Sequence, residues 1–453
     1  MNPNKLENAP ETTTTSIKFS DLHLLEPLQK AVEESGYSKP TPIQEAAIPP
    51  LIEGRDLLGC AQTGTGKTAA FALPILHRLA KYNRRADQRQ TRCLILTPTR
   101  ELAIQIYESF KTYGKYLKLR HAVIYGGVGQ GLQVKALAGG VDVLVATPGR
   151  LLDLIDQKYL SLRTLDVFVL DEADRMLDMG FIHDIRKVIA MLPARRHNLF
   201  FSATMPPDIR RLADTMLTNP VTVEVTPVSS TAELIQQSVM YVDRNRKKDL
   251  LRHVLQDKAF NRVIVFTRTK RGANQVSEVL AKNGINSEAI HGNKSQGARQ
   301  RALQNFREGR TRVLVATDIA ARGIDIDEIS HVINFEVPNI AESYVHRIGR
   351  TARAGAKGIA ISFCDAEERS FIKDIEKLIG KPIPVDREHP CHSNAVENSR
   401  LMSPGKAKAA IERGHGHGGG PRRGGGRNQR RRPSGGGPSS GSGGRRNASS
   451  PRP

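Results

Sequence analysis

The pentapeptide Val-Leu-Val-Ala-Thr occurs twice in the chain, at residues 143–147 and 313–317. Each copy follows an Ile-x-Gly triplet, Ile124-Tyr125-Gly126 in one case and Ile290-His291-Gly292 in the other. Matched landmarks in the same order point to a duplicated structural unit rather than to chance identity in a Val-rich strand. The character of the unit is legible around them. Short apolar runs stand at 93–97, 141–147, 167–171, 198–202 and 221–225, and again at 262–267, 287–291, 312–317, 331–335 and 358–363. These runs are continuous rather than alternating, as expected of parallel strands buried on both faces by helices. Residues 100–117 and 270–283 read as crossover helices between them. The sequence therefore predicts an α/β protein of two tandem parallel-sheet domains, each large enough for its own core. The boundaries are 1–18, a disordered start; 19–223, the first domain; 224–233, a linker broken by Pro227, Ser229 and Ser230; 234–383, the second domain; and 384–453, a disordered basic Gly/Arg-rich tail.

Charge supports this division. The chain carries 68 Lys and Arg against 46 Asp and Glu, a formal +22. From Arg400 onward stand thirteen basic residues and one acid, Glu412, among Gly, Ser and Pro. Such a segment has too little apolar surface to offset its ordering entropy. A balance this basic suits a polyanionic partner, most simply nucleic acid. No stretch approaches the ~20 apolar residues of a membrane helix. The polar start, with Glu7 and Glu11, lacks the pattern of a signal peptide. The four cysteines, Cys60, Cys93, Cys364 and Cys391, form no CxxC pair, so reduced thiols in a cytoplasmic protein are expected.

The residues with chemistry stand in a few short motifs. Ala61-Gln62-Thr63-Gly64-Thr65-Gly66-Lys67-Thr68 has the form of a phosphate-binding loop. Its glycines let backbone N–H groups face inward, and the helix opening at Lys67 adds its positive end. Lys67 supplies charge for the β- and γ-phosphates, and the Thr68 hydroxyl is placed for Mg²⁺. Pro74 predicts a kink in the helix that follows. About a hundred residues on, the run 167–170 ends in Asp171-Glu172-Ala173-Asp174. Acids at the end of a buried strand are costly unless they bind something. Asp171 is the natural Mg²⁺ partner, and Glu172 can polarise an attacking water. Together the two motifs predict nucleotide hydrolysis.

Further motifs extend the pattern. Phe19 stands seventeen residues before Gly36-Tyr37-Ser38-Lys39-Pro40-Thr41-Pro42-Ile43-Gln44. Ser202-Ala203-Thr204 closes another run, and His346-Arg347-Ile348-Gly349-Arg350-Thr351-Ala352-Arg353 places Arg350 and Arg353 three apart, on one helix face. Over about residues 19–383 the chain resembles the DEAD-box RNA helicases, superfamily 2 enzymes with two RecA-like domains. The stretches 291–303 and 313–325 are most similar to the bacterial RhlE group. The resemblance implies that Phe19, Tyr37 and Gln44 receive adenine, and that Gly323 and Asp325 meet the ribose and phosphates from the second domain. It implies arginine fingers at Arg350 and Arg353, and coupling between the nucleotide and RNA sites through Asp174, Ser202, Thr204 and His346. It implies RNA-backbone contacts at Thr99, Arg100, Gly127, Thr147 and Arg150 in the first domain. The matching positions in the second are Arg268, Gly292, Arg299 and Thr317. The usual family pattern has Gly where this chain has Ala352.

ATP and Mg²⁺ are therefore the expected cofactors, and RNA the expected partner. Aromatic residues are only 5% and Trp is absent, so binding is expected through backbone shape and charge with weak base preference. A DNA-directed helicase and an ATP-switched annealing clamp remain alternatives. Ribosome assembly and RNA decay both suit such an enzyme, and the sequence chooses neither. Nothing in it calls for an obligate oligomer.

Overall fold

The computed structural model describes residues 17–61, 64–82, 84–225, 235–321, 329–352 and 358–414. Seven parallel strands form the first sheet: β1 Leu57–Ala61, β2 Thr91–Leu96, β3 His121–Ile124, β4 Val141–Ala146, β5 Val167–Leu170, β6 His197–Ser202 and β7 Val221–Val225. Their spatial order is β3-β4-β2-β5-β6-β1-β7. Six more form the second sheet: β8 Ile235–Tyr241, β9 Val263–Thr267, β10 Ser287–Ile290, β11 Val313–Thr317, β12 His331–Asn334 and β13 Gly358–Cys364. Their order is β10-β11-β9-β12-β13-β8.

The two orders superpose strand for strand, with β7 the one addition among the described residues. The repeated pentapeptide falls on β4 and β11, which hold the same place in each sheet. The upstream isoleucines, Ile124 and Ile290, end the equivalent strands β3 and β10. Successive side chains of β2 explain the continuous apolar runs. Cys93 and Ile95 enter the core on one face of the sheet, and Leu94 and Leu96 enter the core on the other. A strand covered on both faces needs apolar residues at both parities.

Three strands, β1, β3 and β8, are not among the expected runs. β1 contains Gly59, where an added Cβ would lie 2.5 Å from the Phe201 ring, so the missing side chain is what admits that ring. β3 is only four residues long, beginning at His121, and its burial alternates. β8 is an edge strand carrying Gln236, Gln237 and Ser238, so only part of it is buried. Pro74 lies inside the single helix Lys67–Lys81, which is not divided there. β7 extends through Val225, slightly past the expected linker boundary, and residues 226–234 lie outside the described residues.

The expected disorder from residue 384 is corrected for 384–414. The open edge of β8 captures this segment. Val239 N–H donates to Pro384 O (2.9 Å), Asp386 N–H to Val239 O (2.9 Å) and Ser393 N–H to Tyr241 O (3.1 Å). Cys391, Val396 and Ala407 are buried in the second lobe. Pairing to a sheet edge satisfies backbone groups without any apolar period, which is why the sequence hid it. Residues 1–16 and 415–453 lie outside the described residues.

Candidate functional site

Parallel strands deliver their C-terminal ends to one edge of the sheet, where loops are free to carry chemistry. β1 feeds the phosphate loop. Gly64 and Gly66 have φ of 86° and 95°, the left-handed region that glycine reaches without strain. A Cβ on Gly66 would also meet Gln44 Nε2 at 2.5 Å and Thr41 Oγ1 at 2.8 Å. Lys67, buried, donates from Nζ to Ala61 O at 2.8 Å, so the ammonium is folded back over its own loop. Thr65 and Thr68 follow the same turn. Gln62 and Thr63 lie outside the described residues.

Gln44 reaches this loop through its amide. Its Oε1 accepts from Thr41 N–H (3.0 Å) and its Nε2 donates to Gly66 O (3.1 Å). One N–H and one lone pair of the amide remain beyond these two bonds. Phe19 is buried in the core of the first lobe. Tyr37 is 47% exposed, its ring 6.3 Å from that of Tyr113. It lines a cleft of about 600 Å³ between the helices Arg100–Tyr113 and Gln296–Arg307, to which no described phosphate-loop residue contributes. Of the three expected adenine contacts, Gln44 is the one that bonds to the described part of the phosphate loop.

β5 delivers the acids. Asp171 is buried, and its Oδ1 has no hydrogen-bond partner. Burial pushes its carboxyl up to about 6, against the opposing pull of Lys67. The unpartnered Asp171 Oδ1 and the Thr68 hydroxyl are the kind of oxygen donors that Mg²⁺ takes alongside phosphates, so the residues present fit that ion. Glu172 is also buried and sits at φ 56°, a left-handed conformation uncommon for a non-glycine residue. Asp174 is tied to β6: its Oδ2 accepts from Thr204 N–H (2.9 Å) and Thr204 Oγ1 (3.0 Å), while its own N–H donates to Ser202 Oγ (3.3 Å). The expected grouping of Asp174, Ser202 and Thr204 is therefore physical.

Two arginines went unassigned in the sequence. Arg175 donates from Nη1 to both oxygens of Glu172 (2.7 and 2.8 Å), and its Nη2 lies 3.4 Å from His346 Nδ1 in the second lobe. Arg347 anchors the second lobe, pairing bidentately with Asp318 (2.6 and 2.8 Å) and lying over the Phe266 ring. Arg350 is buried, its Nε donating to His346 O at 3.2 Å, and it lines a small cavity with Asp318, Ser343 and Arg347. Arg353, Gly323 and Asp325 lie outside the described residues.

A second cleft, of about 550 Å³, is lined by Thr99, Arg100, Gly126, Thr147 and Arg150 from the first lobe and by Gly292 and Arg299 from the second. Thr99 caps the helix Arg100–Tyr113, its Oγ1 accepting from Leu102 N–H. Arg100 lies over Gly127, where φ is 75° and an added Cβ would fall 2.2 Å from Nη1. Arg150 donates to Val128 O at 3.0 Å. The lobes meet at the cleft: Arg299 pairs with Glu101 at 2.9 Å, Gln296 donates to Glu101 at 3.0 Å, and Arg100 donates to Gln296 at 3.4 Å. Two expected residues are not brought here. Arg268 lines a separate basic cleft with Lys247 and Arg271, and its guanidinium is spent on Glu368 and Val337 O. Thr317 is buried at the end of β11.

Comparison with known proteins gives this architecture a family. The family description "DEAD/DEAH box helicase" matches residues 41–212, and "Helicase conserved C-terminal domain" matches residues 246–355. The chain is 42% identical over 395 residues to the DEAD-box ATP-dependent RNA helicase CshA of Bacillus thuringiensis (strain Al Hakam), covering 87% of this chain and 74% of that one. The chain belongs to the DEAD-box ATP-dependent RNA helicases. The chain is also 46% identical over 368 residues to the ATP-dependent RNA helicase DeaD of Buchnera aphidicola subsp. Baizongia pistaciae (strain Bp), over 81% of this chain and 60% of that relative's length. Among solved structures, the chain is similar to S. cerevisiae Dbp5 bound to RNA and ADP BeF3. The TM-score is 0.72 at 33% identity, covering 82% of this chain and 95% of that one. The expected pair of RecA-like domains with parallel sheets is borne out. Among the described residues no helix is long and apolar enough to cross a membrane.

Proposed function

We propose that the protein hydrolyses ATP at the loop bearing Lys67, Thr68, Asp171 and Glu172. The energy of closing the lobes around ATP grips an RNA backbone in the Thr99–Arg299 cleft and opens a short duplex locally. The observation that carries this reading is the split construction of both sites. Glu101 and Arg299 join the lobes at the nucleic-acid cleft, and Arg175 and His346 approach across the lobes behind the acids. A single closure therefore assembles both, so ATP and RNA each favour the other's bound state. Lys67, Arg350 and, from the family likeness, Arg353 supply positive charge to the phosphates, and by the same likeness Gly323 and Asp325 meet the ribose and phosphates from the second lobe. Glu172 accepts the proton of the water that attacks the γ-phosphorus as the bond to ADP breaks.

Asp171 and Thr68 would hold Mg²⁺, which neutralises phosphate charge when bound. Tyr37, Phe19 and the remaining amide valences of Gln44 are the proposed adenine contacts. Arg100, Gly127, Thr147, Arg150, Gly292 and Arg299 are the proposed phosphate contacts, with Arg268 and Thr317 outside the cleft as supports. The RhlE-like subgroup, the cytoplasmic setting and a role in ribosome assembly or RNA decay are proposals resting on sequence alone. Glu172→Gln tests the cycle. With ATP present this variant should hold single-stranded RNA far longer than the unaltered protein does. Release of RNA at the unaltered rate would show that hydrolysis does not drive it.

A further inference from the structure

Arg175 takes part in no step described above, yet it is among the most buried side chains in the first lobe. Its side chain is 2% exposed and that of Glu172 is 3%. A buried ion pair adds little stability over packed apolar groups, so its retention calls for another reason. The geometry supplies one. One amino group, Nη1, is shared between both carboxylate oxygens of Glu172, and the other, Nη2, points to the opposite lobe at His346 Nδ1. A guanidinium has only donors, so this contact is a hydrogen bond when His346 offers Nδ1 as the acceptor and carries its ring proton on Nε2. His346 in turn receives Arg350 Nε at its carbonyl oxygen, which places it beside an expected arginine finger. On the other side, the Arg175 N–H donates to Asp174 Oδ1 at 3.0 Å, and Asp174 is held by Thr204.

We propose that Arg175 is a positioning residue that reports closure of the lobes to Glu172. With the lobes apart, the guanidinium is held only through Glu172, and the carboxylate is free to swing with it. When the second lobe docks, His346 fixes Nη2, the guanidinium plane stops turning, and the carboxylate is pinned in the direction of the attacking water. Glu172 is already locked at its backbone by φ 56°, so its side-chain direction is what remains to be set. The inference rests on reading Glu172 as the group that polarises water.

The test is a double-mutant cycle in the full-length protein: ATP hydrolysis at saturating single-stranded RNA for Arg175→Ala, His346→Ala and the pair. Arg175→Ala should lower kcat by about 10²-fold, the scale of a misplaced catalytic group, with KM for ATP unchanged. His346→Ala should lower RNA-stimulated kcat in the natural background and have no further effect when Arg175 is already absent. Arg175→Lys keeps the charge without the fork and should restore little. It also repeats the cycle should the alanine variant not fold. Additive effects of Arg175 and His346, or a kcat unaltered in Arg175→Ala, would overturn the inference. Glu172→Gln separates its failure from that of the reading beneath it. An inactive Glu172→Gln with additive effects at Arg175 and His346 removes only the relay, whereas an active Glu172→Gln removes the base itself.

Discussion

Asp171 should make the nucleotide-free protein less stable, and replacing it should reverse that. Burial moves its carboxyl from 3.8 to about 6. At about 1.4 kcal/mol per pKa unit, that displacement is worth about 3 kcal/mol. The folded state binds the proton more tightly than the unfolded one. The penalty is therefore absent below pH ~4, grows as pH rises, and is complete above pH ~6. Asn has nearly the same shape and no charge to bury. It loses the attraction of Lys67, but Lys67 keeps its bond to Ala61 O. At pH 7, without nucleotide or metal, Asp171→Asn should raise the unfolding free energy of the first lobe by about 1–3 kcal/mol, an example of a site held at the expense of stability. The assay is denaturant unfolding of both proteins from pH 7 to pH 5. The gap should narrow by roughly half over that range, because the natural protein takes up its proton while the variant has none to bind. A gap that does not change with pH, or a destabilised variant, would refute the electrostatic account of this carboxylate.

Other consequences are simpler. Gly127→Ala would force a left-handed φ on a residue with a Cβ and push Arg100 aside, at a strain of about 1–2 kcal/mol. RNA affinity measured by anisotropy should fall about tenfold or more while ATP binding is retained. Deleting residues 415–453 should weaken RNA binding and flatten its dependence on salt, leaving thermal unfolding of the second lobe in place. Deleting residues 384–453 should in addition lower that unfolding temperature, because it strips the partners of Val239 and Tyr241 from the edge of β8.

Much of this molecule was legible because both fold and chemistry follow strand ends. The repeated pentapeptide marks equivalent strands of two sheets, and the phosphate loop and acidic box lie where β1 and β5 stop. What escaped notice depends on partners distant in sequence. Arg175 looks like one more charge on a short helix until His346, 171 residues away, is brought beside it. The segment 384–414 has no apolar period because it borrows the edge of β8. Gln44 read as an adenine ligand from its donor–acceptor pair, and that same pair is what the structure applies to Thr41 and Gly66. Arg268 read as a phosphate contact, yet its guanidinium is held by Glu368 and Val337 O, because a buried carboxylate competes successfully for it. Residue type announced the capacity for these bonds, and only the fold chose the partner.

The most direct test is steady-state ATP hydrolysis at moderate salt, without nucleic acid, with single-stranded RNA and with a matched DNA. If closure of the lobes on an RNA backbone completes the nucleotide site, hydrolysis will be slow alone and strongly stimulated by RNA, and DNA will stimulate it far less. Hydrolysis equally fast without RNA would contradict the coupling of the two sites, and equal stimulation by DNA would contradict the assignment of RNA as the gripped strand.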